Sequence, residues 1–151
     1  MADESKVSPD LEPQFDRSKL GKVLGEADIT VTEEAILQFA EAVGETNPRF
    51  SQPGPDLEAL PGMLAIINRP QARVQVRFPF ATVGMPAGTT MEMFESVRPG
   101  DVLHVSVKLA DVYVKTGRSG TMGFVVYDKE FVRKRDGKLV ARVRQSSLTR
   151  P

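Results

Sequence analysis

Three long strand-like runs, over residues 102–114, 122–132 and 139–148, the first and last of them alternating apolar and polar, constrain this chain more than anything else in it. In the first run Leu103, Val105 and Val107 share one face, and His104, Ser106 and Lys108 the other, which is the period of a strand with one buried side. The last run repeats the pattern, with Leu139, Ala141 and Val143 against Arg142 and Arg144. Short polar, glycine-bearing stretches separate the runs: Lys115-Thr116-Gly117-Arg118-Ser119-Gly120, and then Arg135-Asp136-Gly137-Lys138, an Asp-Gly hairpin signal. Val74, Val76 and Phe78 alternate with Gln75 and Arg77, and residues 88–94 lead into Ser96-Val97-Arg98-Pro99-Gly100-Asp101, so two further extended segments are expected. Runs joined by hairpins build an antiparallel sheet.

Helical signals precede the strands. Thr32 is placed to cap a helix whose first turn carries Glu33 and Glu34, where the helix dipole favours acids. Ile36, Phe39, Ala40 and Val43 recur at helical spacing while Gln38 and Glu41 face away, and Gly44 fits a left-handed stop. Core packing accounts for that stripe. A loop follows over residues 45–56, punctuated by Asn47-Pro48 and Pro53-Gly54-Pro55. Gly62-Met63-Leu64-Ala65-Ile66-Ile67-Asn68 is apolar almost all round, which predicts a helix buried on most sides. Helices before strands, without internal repeat, argue an α+β domain over residues 15–150. Within it, residues 15–29 read as a lead-in with a turn at Leu20-Gly21-Lys22. Residues 1–14, polar and with Pro9 and Pro13, read as a flexible N-terminal arm.

Composition removes several kinds of chemistry. Twenty basic residues balance twenty acidic ones, so no overall field draws the chain to nucleic acid or an anionic membrane. There is no cysteine, hence no disulfide, thiol nucleophile or thiolate metal site. The start, Met1-Ala2-Asp3-Glu4-Ser5-Lys6, has no apolar stretch of the secretory kind, and no apolar run reaches the roughly 18 residues of a membrane helix; a soluble, cytoplasmic protein is expected. His104 is the single histidine and lies on a polar strand face, where a solvated role is commoner than a catalytic one; a metal site would need carboxylates alone, and none cluster.

The stretch Gly44-Glu45-Thr46-Asn47-Pro48-Arg49-Phe50, with Ala59-Leu60-Pro61-Gly62-Met63-Leu64 after it, resembles the MaoC-like (R)-specific enoyl-CoA hydratases and 3-hydroxyacyl-thioester dehydratases. That family's signature is Gly-Asp-x-Asn-Pro-x-His, followed by a His-Gly-Met-Leu turn that opens its central helix. Gly44, Asn47, Pro48, Gly62, Met63 and Leu64 match. Glu45 stands at the family's Asp position, Phe50 at its His, and Pro61 at the turn His. Ser96 to Asp101 resembles the family's Pro-Val-Arg-Pro-Gly-Asp turn. The resemblance runs over nearly all of residues 15–150 and is closest to the N-terminal or non-catalytic halves of the family. It implies a hot-dog fold, an antiparallel sheet wrapped around a central buried helix.

The resemblance further implies an acyl-thioester site, on CoA or an acyl carrier protein, with no cofactor and no metal. Hydrating an enoyl thioester needs a proton shuttle and a donor to the enolate-like oxygen. Phe50 has no ionisable group, and Glu45 lacks the His with which the family's acid works. The expected site residues are therefore Asn47, Gly62 and Met63 for substrate, with Gly62 offering its backbone N–H to the thioester oxygen, and no confident catalytic residue. Ile66 and Ile67 share with Met63 a candidate role in lining, with core packing the blander alternative. The family's subunits pair side by side, so the implied function is that of a non-catalytic subunit beside a hot-dog partner that carries the Asp and His. Two alternatives stay open: an enzyme acting alone with Glu45 as base, helped by Asp56 or by His104 from across a dimer, and a thioester-binding module without catalysis. The basic set Lys129, Arg133, Lys134, Arg135, Lys138, Arg142 and Arg144 is either a contact for CoA phosphates or a carrier, or simply a solvated hairpin.

Overall fold

The computed structural model describes residues 8–151. In chain order the elements are β1 (Val23–Thr30), α1 (Glu33–Val43), α2 (Pro48–Ser51), α3 (Pro61–Ile66), β2 (Val83–Met93), β3 (Val102–Gly117), β4 (Gly120–Arg133) and β5 (Leu139–Arg150). The strands form one antiparallel sheet in the order β1-β3-β4-β5-β2. The alternation read from the sequence sets its faces. Leu103, Val105 and Val107 are buried under the helices, with Phe131 and Val143 beside them. His104, Glu26, Asp28 and Lys134 meet on the opposite face. The turns are tighter than the stretches that predict them: Gly117 pairs Gly120 directly, and Gly120 and Gly137 take left-handed backbone.

Helix α1 forms as its sequence dictates. Thr32 Oγ1 accepts from Ala35 N–H at 3.2 Å, and Gly44 closes the helix at φ 72°. Ile36 and Ala40 are buried, whereas Val43, expected on the same stripe, is 56% exposed.

The main core joins α1, the chain at Leu57 and Ala59, Met63 and Leu64 of α3, and the sheet. A second cluster gathers Phe78, Leu109 and Val125 at the far end of the sheet, with Val74, Val76 and Phe80 packed over it.

Four expectations change. β1 is a strand rather than a lead-in: its apolar side is Leu24, Gly25, Ala27 and Ile29, too small to announce itself, and the register slips at Val23/Gly25. Residues 74–78 run extended but join no ladder; the Tyr127 hydroxyl bonds the backbone of Val74, and Arg77 and Gln14 exchange N–H···O bonds of 2.8 and 2.9 Å. That tie also anchors Gln14, at the end of the expected arm, and residues 1–7 of that arm lie outside the described residues. In β5 the buried residue is Val140 as well as Ala141 and Val143, because a bulge opposite Phe131/Val132 shifts Leu139 out of phase. Finally, α3 is shorter than residues 62–68 suggested: Met63 and Leu64 are buried but Ile66 is 68% exposed. The helix ends early because side chains of the sheet take its last carbonyls. Gln145 Nε2 donates to Ala65 O at 3.2 Å and Lys129 Nζ to Ile67 O at 2.8 Å, doing the work another helical turn would do.

Candidate functional site

The loop between α1 and α3 is ordered by its own polar groups. Glu45 Oε1 accepts from Asn47 N–H at 2.8 Å, and Asn47 Oδ1 from Arg49 N–H at 3.0 Å, so each side chain closes a local turn. Pro48, with no N–H to lose, opens α2. Ser51 Oγ donates to Asn47 O at 2.8 Å. The half-buried Phe50 follows, with the Arg49 guanidinium 5.2 Å from its ring centre. The structure thus brings Glu45, Asn47 and Phe50 into one compact turn, in which Glu45 and Asn47 hold backbone N–H groups.

Gly62 lies in the first turn of α3, where an N–H has no intrahelical acceptor, and it is exposed. A Cβ there would sit 3.5 Å from Phe39 Cζ of α1, an ordinary contact. Met63 points into the main core, and Ile67 packs against that core. Asp56 is exposed. His104 lies across the sheet, its Nδ1 2.7 Å from Asp28 and its Nε2 3.1 Å from Glu26; these bonds, Asp28's first, raise its pKa above the ordinary value.

The sequence reading missed Glu58. It is buried, and its carboxylate bridges Arg49 at 2.9 Å and Arg98 at 3.4 Å, tying the α2 turn to the loop before β3. Its neighbours Leu57 and Ala59 are apolar, and no local pattern marks a carboxylate whose partners are 9 and 40 residues away.

The basic set is largely self-neutralised. Arg133 is buried against Asp136 at 2.9 Å, and that bond lifts its pKa further. Lys134 meets Asp28, Arg135 Asp101, Lys138 Glu95, Arg142 Glu130 and Arg144 Asp128. The hairpin therefore offers little free charge to a phosphate. Lys129 is the exception: it has no carboxylate within 4 Å among the described residues.

A cavity of about 420 Å³ lies beyond the end of α3, bounded by residues 68–73, the first half of β2, and Tyr127, Lys129 and Gln145 of the sheet. Glu45, Asn47, Phe50, Gly62 and Met63 do not line it.

Residues 18–143 match the family model described as FAS1-like, dehydratase domain region. The chain belongs to that family. Its fold is the MaoC-like hot dog. The MaoC-like dehydratase from Rhodospirillum rubrum superimposes with a TM-score of 0.57 at 25% identity, covering 87% of this chain and 94% of that one. The HadBC (3R-hydroxyacyl-ACP dehydratase) complex from Mycobacterium tuberculosis gives a TM-score of 0.67 at 18% identity, over 86% and 96%. The ChsH1-ChsH2 complex from the same organism gives 0.61 at 17%, over 92% and 87%. The last two are complexes of different subunits, so this fold serves heteromeric assemblies. No curated protein matches this dehydratase-region chain by sequence. Among its described residues, no helix is long and apolar enough to cross a membrane.

Proposed function

We propose that this chain is the acyl-thioester-binding, non-catalytic subunit of a cytoplasmic (R)-enoyl-CoA hydratase or 3-hydroxyacyl dehydratase, paired with a hot-dog subunit that carries the catalytic Asp and His. The observation that carries the reading is Phe50 at the family's His position. A phenyl ring takes no proton from water. Glu45, at the Asp position, is hydrogen-bonded to Asn47 N–H, a role that organises the loop and needs no partner base. General acid–base catalysis contributes about 10²–10⁴-fold, so a site without the pair falls short by that order. Membership of the dehydratase family supports the thioester as ligand, and the heteromeric relatives support the partner. In this reading Gly62 N–H and Asn47 face the thioester, and Met63 backs the site from the core.

The test is hydration of crotonyl-CoA by the purified chain, alone and mixed with the product of a neighbouring gene encoding Gly-Asp-x-Asn-Pro-x-His. The chain alone is expected to stay near background, and the mixture to exceed the partner by itself. Robust activity of the isolated chain that Glu45→Gln reduces by about 10²–10⁴-fold would instead establish Glu45 as a working base.

A further inference from the structure

Lys129 sits in β4 and is only 7% exposed. Its ammonium carries three donors, and Ile67 O, at 2.8 Å, occupies one. Burial pushes its pKa down, and the nearby Arg73 guanidinium pushes it further the same way. A buried cation without a counter-charge is costly, and proteins seldom keep one that packing alone does not require. Here the ammonium borders a cavity large enough for a small organic group, and Arg73 lines the same space. No Asp or Glu lines it, although the chain has as many acids as bases. Ser147 and Thr89 add hydroxyl donors to the wall. Every other cation of the basic set has found an acid of its own. This one faces a hole.

We propose that the cavity is a carboxylate site and forms the far end of the acyl pocket, so that this chain selects acyl thioesters whose acyl group ends in a carboxylate. The proposal rests on the thioester reading above and adds the substrate class to it. Gly62 and the Lys129-bound Ile67 carbonyl stand at opposite ends of α3, about 7.5 Å apart along its axis. A thioester held at Gly62 with its terminal carboxylate at Lys129 would have an acyl chain of roughly six to eight carbons. Carboxylate to ammonium is a charge-assisted bond, stronger than a neutral one. A methyl terminus at the same place would leave the ammonium as it is now.

The experiment is calorimetric titration of the purified protein, together with any hot-dog subunit that co-purifies. The ligands are adipyl-, suberyl- and sebacyl-CoA beside hexanoyl-, octanoyl- and decanoyl-CoA, plus free suberate. At one of these lengths the carboxylate-ended thioester is expected to bind roughly ten- to a hundredfold tighter than its methyl-ended counterpart. Lys129→Met should bring that ratio to about one, and Arg73→Gln, at an exposed side chain, should lower it by a smaller factor. Equal or tighter binding of the methyl-ended ligand at all three lengths overturns the proposal, and this arm needs no variant to fold. Lys129-dependent binding of suberate without binding of any thioester would uphold the carboxylate site and remove the thioester reading instead. Absence of binding by suberate and every thioester overturns the site itself.

Discussion

Gly123 is the position at which the packing of this fold can be tested most sharply. It lies in the middle strand β4, between Val114 of β3 and Thr149 of β5, and faces the ring of Phe78. A Cβ at Gly123 would lie 2.6 Å from Phe78 Cγ and 2.5 Å from its Cε1, well inside carbon–carbon contact. To restore an ordinary separation the ring must retreat by about 1 Å. Phe78 is 5% exposed and belongs to the second core cluster, so it retreats only by loosening residues 74–80 from the sheet. Overpacking of this kind costs about 1–3 kcal/mol. In urea, with a slope of about 1–3 kcal/mol per molar, Gly123→Ala should lower the midpoint by roughly 1 M at fixed protein concentration. Phe78→Ala alone should cost about 3–5 kcal/mol. In the double variant the new methyl enters space the ring has left, so the two losses should fall short of additivity by at least about 1 kcal/mol. A neutral Gly123→Ala, or strict additivity in the cycle, would refute the close apposition of Phe78 and β4.

Arg133→Met removes a buried guanidinium from Asp136, Ser96 O, Asp101 and Glu95; it should cost about 1.5–3 kcal/mol in the same urea titration, chiefly from the lost charge-assisted bonds to Asp136 and Ser96 O, since Asp101 keeps Arg135 and the Arg98 N–H. His104 binds its proton more tightly folded than unfolded, through Asp28 first and then Glu26, so its stabilisation is complete below pH 6.5 and fades as pH rises through the higher folded value. Melting curves from pH 5.5 to 8.5 should show a small loss for the wild type that His104→Gln lacks, and 0.5 M salt should shrink it, because the ring is 40% exposed.

The sheet was legible from residue 102 onward because each strand there buries one face, so the period of two is written in side chains large enough to see. α1 was legible for a similar reason, with Thr32 and Gly44 marking its ends. What escaped was structure held by partners distant in sequence. β1 takes its place from the ladder with β3, the middle of its own apolar side being only Gly25 and Ala27 between Leu24 and Ile29. The length of α3 is set by Gln145 and Lys129, some 80 and 62 residues from the carbonyls they bind. In the site, the loop motif and the replacement of an ionisable residue by Phe50 could be read directly. Glu58 could not, since its role comes from Arg49 and Arg98. Lys129 could be counted among the basic residues, and the strand period sets it on the face of Tyr127 and Phe131, but nothing in the run says that no acid meets it there.

The segment that crosses from α3 to β2 has a kinetic meaning of its own. Residues 69–80 are held chiefly by side chains, with the Gln14–Arg77 exchange as their tie to another backbone segment and the Tyr127 hydroxyl bonded at Val74. A stretch with so few ladder bonds opens locally at a free energy well below that of the whole sheet. Its amide protons will exchange with solvent while those of β3 and β4 stay protected. The same stretch supplies one wall of the cavity beside Lys129, so the cavity is walled on one side by a segment with few ladder bonds and on the other by the fully laddered strands β4 and β5.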